Sequence, residues 1–343
     1  MTAENIKNIC AIGTGAMGAT TALSFALYGY NVRLYGRSEA SIEEGMKNIQ
    51  KALDVLQARG FIGQADVPAI ISFIRPTTKL GEATENADIV IESVAEILET
   101  KHGIFAAIDN ICPSHTIFAT NTSGLSPTRI AEAVRPERRE RFVATHFFNP
   151  AHLMPLVEVV PSERTTQETM DIACELVRKI GKKAAPMKRE IPGYMVNRIQ
   201  IAALMAAKEL VELGYATAEV IDEAFVHSLG LRGSVTGPLE SADMGGLHIF
   251  HEIEKNVGAD LFRPTGNSSS LEQAVILGNL GAKTGQGFYG WPSERLAART
   301  ADRHEVLYQN LGQQLTHQFG SPTYPAMIAH PENSADIPAP VQG

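Results

Sequence analysis

The 343-residue chain is poor in cysteine, with only Cys10, Cys112 and Cys174. They are widely spaced, odd in number and form no Cys-x-x-Cys, so they build neither a disulfide framework nor a zinc ribbon, and a reducing compartment is expected. Positive charge is not in excess either: 30 Lys and Arg stand against 38 Asp and Glu, a net charge of −8. An acidic chain without a basic block is a poor partner for nucleic acid and gains nothing at an anionic membrane surface. Long apolar runs are missing. The stretch 199–207 is cut off by Lys208 and Glu209, far short of the roughly 18 residues that a spanning helix needs. The opening MTAENIKNIC lacks the apolar segment of a secretion signal. No segment repeats another. These absences leave a cytoplasmic globular protein as the expectation. Its 44% hydrophobic and 20% charged residues exclude wholesale disorder. Its length suits two domains at roughly 150 residues each.

Up to about residue 190, short β-type runs alternate with helical patterns. Residues 8–12 (NICAI) lead through a glycine-rich turn into a helix reaching Tyr28, and 31–35 (NVRLY) follow. Ser41-x-x-Glu44 reads as a capping box opening a helix to about Arg59. Residues 70–75, 88–93, 116–120 and 142–146 are further strand candidates, then 156–160 and 184–188 with a helix over 166–180 between them. Such alternation implies βαβ units: a doubly wound, mostly parallel Rossmann-type sheet with helices on both faces. After Pro192-Gly193 the β signal stops, and helices over 194–213 and 218–229 begin an all-α region. The expected organisation is an α/β domain over 1–190, a helical domain over 191–292, and a helix (293–319) with an extended tail from Gly320 over the remainder, 293–343.

Gly13-x-Gly15-x-x-Gly18 sits between an apolar strand and a helix. Gly13 permits a tight turn, Gly15 lets the backbone approach a pyrophosphate, and Gly18 lets helix and strand pack closely, with Ala16 and Met17 opening the helix whose N-terminus faces the phosphates. This is the context in which the bare pattern becomes a dinucleotide site. An Asp or Glu at the end of the second strand would hold an NAD ribose. Here Gly36 stands in that place, followed by Arg37 and Ser38. A guanidinium and a hydroxyl suit a 2′-phosphate, so NADP is favoured over NAD.

Thr145-His146-Phe147-Phe148-Asn149-Pro150 ends a strand with a histidine at the carboxyl edge, where such sheets bind ligands. Twelve residues on, Glu158 interrupts the apolar strand PLVEVV. A carboxylate there is costly unless paired, and His146 is the obvious partner. An imidazole oriented by a buried carboxylate can take a proton from an alcohol. Asn121-Thr122-Ser123, also at a carboxyl edge, and Asn197, one turn into the helix after Pro192-Gly193, offer hydrogen bonds to a substrate oxygen. Each alone is more often a cap or a helix-surface residue. His248, His251, Glu252 and Glu254 lie on a helix and are not read as a metal site, and no metal is expected.

The glycine loop, NTS at 121, THFFNP at 145, PLVEVV at 155, PGYMVNR at 192 and LGAKTGQGFYGW at 280 resemble, in order and spacing, the 3-hydroxyacyl-CoA dehydrogenase family over about residues 6–292. The resemblance implies an NAD-binding domain, a helical dimerisation domain giving a homodimer, and oxidation of the 3-hydroxyl of an L-3-hydroxyacyl thioester. It implies that His146 is the catalytic base, Glu158 its partner, and Ser123 and Asn197 ligands of the substrate oxygen. Glu96, Lys101, Asn121, Ser123, Asn149 and Lys283 match cofactor contacts. The apolar residues Ile199, Ala203, Leu204 and Ala207, recurring at helical spacing, also point to a dimer.

Two departures bear on the substrate. Where the resemblance implies Ser and Lys contacts to CoA, Gly45 and Ala52 stand here. The run 229–240 (LGLRGSVTGPLE) is similar to the branch acting on free carboxylates, such as L-gulonate 3-dehydrogenase and carnitine dehydrogenase. In it Arg232 matches an arginine able to clamp a carboxylate bidentately. The thioester and the free 3-hydroxy acid both stay open at this point. So does, in a different class, a non-catalytic dinucleotide-binding protein on the same scaffold.

Overall fold

The structure, a computed structural model, describes residues 2–261, 273–274 and 276–325, and the side chains of these except 258–260 and 283. Eight strands, β1 (Asn8–Ile12), β2 (Asn31–Tyr35), β3 (Ile74–Thr77), β4 (Ile89–Glu92), β5 (Ile117–Thr120), β6 (Phe142–Phe147), β7 (Leu156–Pro161) and β8 (Lys183–Pro186), form one sheet. Their order is β3-β2-β1-β4-β5-β6-β7-β8. The strand order reverses between β1 and β4, which places the glycine loop at the switch point where open α/β sheets bind ligands. The central strands β4 and β5 are buried at every position, as strands covered on both faces must be.

Neighbours run parallel except β6 and β7, which are antiparallel. The cause is the link 148–155, which is short and contains no helix. A parallel return needs a crossover of about a dozen residues or more. The antiparallel register sets His146 directly opposite Glu158.

Around this sheet lie α1 (Ala16–Ala26), α2 (Glu39–Ala58), α3 (Asp66–Ser72), α4 (Leu80–Thr84), α5 (Leu98–Asp109), α6 (Pro127–Ala131) and α7 (Gln167–Lys179). One apolar core joins one sheet face to α1 and α2 through Ile9, Leu23, Leu34, Ile49 and Leu53. A second joins the other face to α5 through Cys10, Val90, Phe105, Ile108 and Phe118.

Two local expectations are corrected. Residues 70–75 are not one strand: α3 runs to Ser72 and only Ile74–Thr77 pair with β2. Ile70 and Ile71, despite their β-type side chains, lie in α3, and Asp66 in its first turn accepts the Gly63 N–H at 2.8 Å in the turn leading in. The box that opens α2 is also shifted. Ser38, not Ser41, is the N-cap: its extended backbone lets Oγ accept the Ser41 N–H at 3.2 Å, and the Ser41 hydroxyl answers the Ser38 N–H at 3.2 Å.

The later helices are α8 (Val196–Glu212), α9 (Ala218–Phe225), a π turn (Val226–Gly230) running into α10 (Leu231–Gly233), α11 (Pro238–Gly245), α12 (Leu247–Leu261) and α13 (Ser293–Phe319). The chain divides into two compact units, Met1–Met195 with the chain from Arg303 onward, and Val196–Asp302. The second half of α13 therefore belongs to the first unit. Tyr308 stacks on Phe61 with ring centroids 6.1 Å apart, and Arg59 pairs with Glu305 at 2.7 Å. Leu311 and Leu315 are buried in the core around α1 and α2. Tyr324 follows, buried against Tyr28, with its N–H donated to the Phe61 carbonyl at 2.9 Å. The tail expected from Gly320 is thus tied down as far as Tyr324, and residues 326–343 lie outside the described residues. No helix among the described residues is long and apolar enough to cross a membrane.

Candidate active site

The glycine loop has the geometry its spacing calls for. Gly13 has φ +109, and a Cβ there would stand 2.6 Å from the Ser93 carbonyl oxygen. A Cβ at Gly18 would stand 2.0 Å from the Gly13 oxygen, so helix and turn touch backbone to backbone. At Gly15 a Cβ would meet nothing within 4 Å. Gly15 is exposed and is the N-cap of α1 with no side chain capping the first turn. Uncapped N–H groups at a helix N-terminus beside open space fit a pyrophosphate. Ala16 is exposed and Met17 half-buried against the core.

At the end of β2, Gly36 is buried. A side chain there would meet Ile42 Cγ1 at 2.7 Å, Ser41 Oγ at 2.8 Å and Thr14 Cγ2 at 3.0 Å. The missing carboxylate therefore has a packing cause as well. Arg37 and Ser38 are exposed, and the Ser38 hydroxyl is engaged at the N-cap of α2.

Three candidates come together at the carboxyl edge of β5 and β6. His146 donates from Nδ1 to Glu158 Oε2 at 2.8 Å. A carboxylate only accepts, so Nδ1 carries the proton and Nε2 is the basic nitrogen. The Ser123 hydroxyl lies 3.1 Å from that Nε2. Glu158 is wholly buried, and its other oxygen accepts the Met195 N–H at 2.9 Å. Both carboxylate oxygens are thus hydrogen-bonded, which burial in an apolar strand requires.

The His146 ring is flanked by Phe148, at 4.6 Å between centroids, and edge-on by Tyr194, at 5.6 Å. Tyr194 has φ +52, an uncommon conformation for a non-glycine residue, and follows Gly193 at φ +76. Its buried ring and its hydroxyl, donated to the Leu125 carbonyl at 3.3 Å, hold that conformation in place.

Asn121 ties two strand ends together: its Oδ1 accepts the Phe147 N–H at 2.8 Å and its Nδ2 donates to Ser93 Oγ at 3.2 Å. Glu96 holds the adjoining loop. Its Oε1 accepts the Thr122 hydroxyl and the N–H groups of Ser123 at 2.9 Å and Gly124 at 3.1 Å. Burial works to raise the Glu96 carboxyl. The Thr122 hydroxyl, the Lys101 ammonium and the Ser123 N–H outweigh it and hold the group below the usual carboxylate range. Lys101 is buried and paired with Glu92 at 2.8 Å and Glu96 at 3.3 Å. Asn149 is exposed. Asn197 in the first turn of α8 and Arg232 in α10 belong to the second unit, Arg232 exposed. Lys283 lies on a 3-10 turn (Ala282–Thr284), with its side chain outside the described residues.

The expectations from sequence missed Tyr194 and Glu92. Glu92 was findable by the signal that found Glu158, a carboxylate ending an apolar strand, here IVIE.

Comparison with known proteins matches residues 8–191 to the NAD binding domain of 3-hydroxyacyl-CoA dehydrogenase and residues 193–291 to its C-terminal domain. The probable 3-hydroxybutyryl-CoA dehydrogenase of Bacillus subtilis is 37% identical over 290 residues, 83% of this chain and 98% of that protein. A 5-formyl-3-hydroxy-2-methylpyridine 4-carboxylate 5-dehydrogenase of Mesorhizobium japonicum is 32% identical over 302 residues, 88% and 96% of the two chains. A crystal structure of a dehydrogenase of that same pyridine carboxylic acid, described as an NAD+-dependent dismutase, superposes with a TM-score of 0.81 at 30% identity, covering 90% of this chain and 98% of that one. The NAD-binding domain, the Rossmann-like sheet with its helical continuation and these relatives agree: the chain is an oxidoreductase that belongs to the 3-hydroxyacyl-CoA dehydrogenase family.

Proposed function

We propose that the chain interconverts a 3-hydroxy and a 3-oxo group on an acyl thioester of coenzyme A, with His146 as the acid–base group. The observation that carries this reading is the bonding of His146: Nδ1 held by Glu158 at 2.8 Å and Nε2 presented beside Ser123 at 3.1 Å. A dinucleotide held by its pyrophosphate at the Gly13–Gly18 loop would supply the nicotinamide that takes up or gives the hydride. In oxidation His146 Nε2 accepts the hydroxyl proton of the substrate as the carbonyl forms, and Glu158 stabilises the resulting imidazolium. In reduction His146 returns that proton. Ser123 hydrogen-bonds the reacting oxygen and stabilises the charge that develops on it. Phe148 and Tyr194 hold the ring of His146 in plane and shield it from water.

A second substrate reading, a free 3-hydroxy acid, is favoured by a specific feature of α2. Gly45 stands where the family resemblance implies a serine contact to CoA, and a Cβ there would already lie 2.9 Å from Thr14 Cβ. Arg232 then clamps the carboxylate. At the ribose end, Arg37 supports a 2′-phosphate and so NADP, since Ser38 is engaged as a cap. The apolar helix faces of the second unit support a homodimer.

The test is a titration with NADH and NADPH, followed by reduction of acetoacetyl-CoA and of free acetoacetate. Tighter NADPH binding upholds the role of Arg37, and equal or tighter NADH binding removes it. Turnover of the thioester alone leaves Arg232 structural, turnover of the free acid alone makes it the clamp, and turnover of neither sinks both substrate readings.

A further inference from the structure

Beneath the site lies an ionic cluster that the family resemblance would attach to the cofactor. Glu92 ends β4 with no exposure at all. Its Oε1 accepts from Lys101 Nζ at 2.8 Å and from the Val94 N–H at 2.6 Å. Its Oε2 accepts from the same ammonium at 3.0 Å and from the Thr120 hydroxyl at 2.7 Å. Glu96 Oε2 takes the third direction from Lys101, at 3.3 Å. Three carboxylate oxygens thus surround one ammonium, two of them accepting hydrogen bonds and the third ion-paired. Lys101 is 1% exposed, which closes its ammonium off from a ribose or a phosphate. Two carboxylates against one ammonium also leave the cluster net negative, the wrong sign for a phosphate.

The other oxygen of Glu96 points into the loop after β5. It gathers the Thr122 hydroxyl and the N–H groups of Ser123 and Gly124, while Thr122 Oγ1 accepts the Leu125 N–H at 3.0 Å. This loop has no helix or strand of its own to fix it. Its ends are held at Asn121, by Phe147 and Ser93, and at Leu125, by the Tyr194 hydroxyl. Its middle, 122–124, is gathered on this one carboxylate oxygen, whose partner oxygen is anchored on Lys101 and through it on Glu92 in the core. Ser123 Oγ, carried by that loop, meets His146 Nε2 at 3.1 Å.

We propose that Glu92, Lys101 and Glu96 are positioning residues, a buried relay that fixes the 121–125 loop and so sets Ser123 against His146. The inference rests on the reading of His146 and Ser123 as the reacting pair. It departs from the family expectation that Lys101 touches the cofactor.

The test uses the full chain and two variants. Removing one member of a buried pair strands the other charge and invites misfolding. The first variant is therefore the uncharged double substitution Glu92→Gln with Lys101→Met. The second, Thr122→Val, leaves the ion pair whole and loosens only the loop. Three quantities are read: the dissociation constant for NADH or NADPH by fluorescence, kcat at saturating cofactor, and the ring-nitrogen NMR signals and titration of His146 in the cofactor-free protein. The relay predicts, for both variants, a shifted His146 titration and a kcat about 30-fold lower, the scale on which small misplacements act. It also predicts a cofactor dissociation constant within about threefold of the parent, the pattern of a lost transition-state contact. A tenfold weaker cofactor affinity in the double variant with kcat unchanged would make Lys101 a cofactor contact and overturn the proposal. Unchanged His146 signals in both variants would overturn it too. That second outcome needs no turnover, so it is readable even if the parent protein reduces none of the substrates above and the functional reading itself has failed.

Discussion

The two units of this chain bury their apolar residues differently. In the first, both sheet faces are closed by helices, and His146, Glu158 and Glu92 sit inside a dry, bonded framework. In the second, no described residue from 196 to 302 is buried. It carries Ile199, Met205, Phe225, Leu231, Val235 and Leu239 exposed, the last two at 84% and 83%. The first unit can hold charged groups in place because its core closes on itself. The second presents apolar surface on a scale that monomeric domains seldom leave open. Under the proposed reading, proton chemistry belongs to the former and association to the latter.

The comparison breaks first at His146. His146→Gln removes the base without removing volume, and kcat is expected to fall about 10³-fold while fold and cofactor affinity persist. Steady-state kinetics beside circular dichroism and a cofactor titration check this, and near-normal turnover would move the chemistry elsewhere. A change in the second unit attacks the other half of the contrast. A charge at Leu239 (Leu239→Asp) is expected to turn a dimer of the parent chain into a monomer in sizing with light scattering at micromolar concentration, leaving the melting of the first unit in place. A monomeric parent would show that these helix faces do not pair.

The smallest effect concerns pH. His152 is buried, with neither ring nitrogen hydrogen-bonded. Burial, with Lys182 and His304 nearby, lowers its pKa from 6.5 to about 3. The unfolded chain takes up a proton as pH falls below 6.5 and the folded chain does not, so stability is lost as the medium is acidified. Between pH 7 and pH 5 the loss is about 2 kcal/mol. Burial brings Lys182 down to about 7, so most of its own linkage lies above neutrality and only about 0.4 kcal/mol of it falls in this window, in the same direction. His152→Phe should flatten the fall in melting temperature over this range. An unchanged slope would assign acid sensitivity to other groups.

Much of the site was legible because its signals are local conflicts. A carboxylate in PLVEVV and a histidine at the end of a strand each demand a partner, and the β6–β7 register supplies it. The glycine loop was legible because steric limits on Cβ act within a few residues. The loop helices were harder. Ile70 and Ile71 favour a strand locally, yet both lie in α3. Ser38 and Ser41 are both good caps, and only the extended backbone at Ser38 chooses between them.

By itself the sequence determined the alternation of strand and helix, the glycine turn, and the identities of His146, Glu158 and Ser123, because periodicity, Cβ sterics and the cost of a buried charge are written residue by residue. Tertiary structure alone decided that Lys101 belongs to Glu92 and Glu96, that Tyr194 walls the histidine, and that the end of α13 folds onto Phe61 and Tyr28. Those pairings join residues that the chain does not mark as partners. Their energy comes from shape and dielectric at a meeting place that exists only once the sheet has formed.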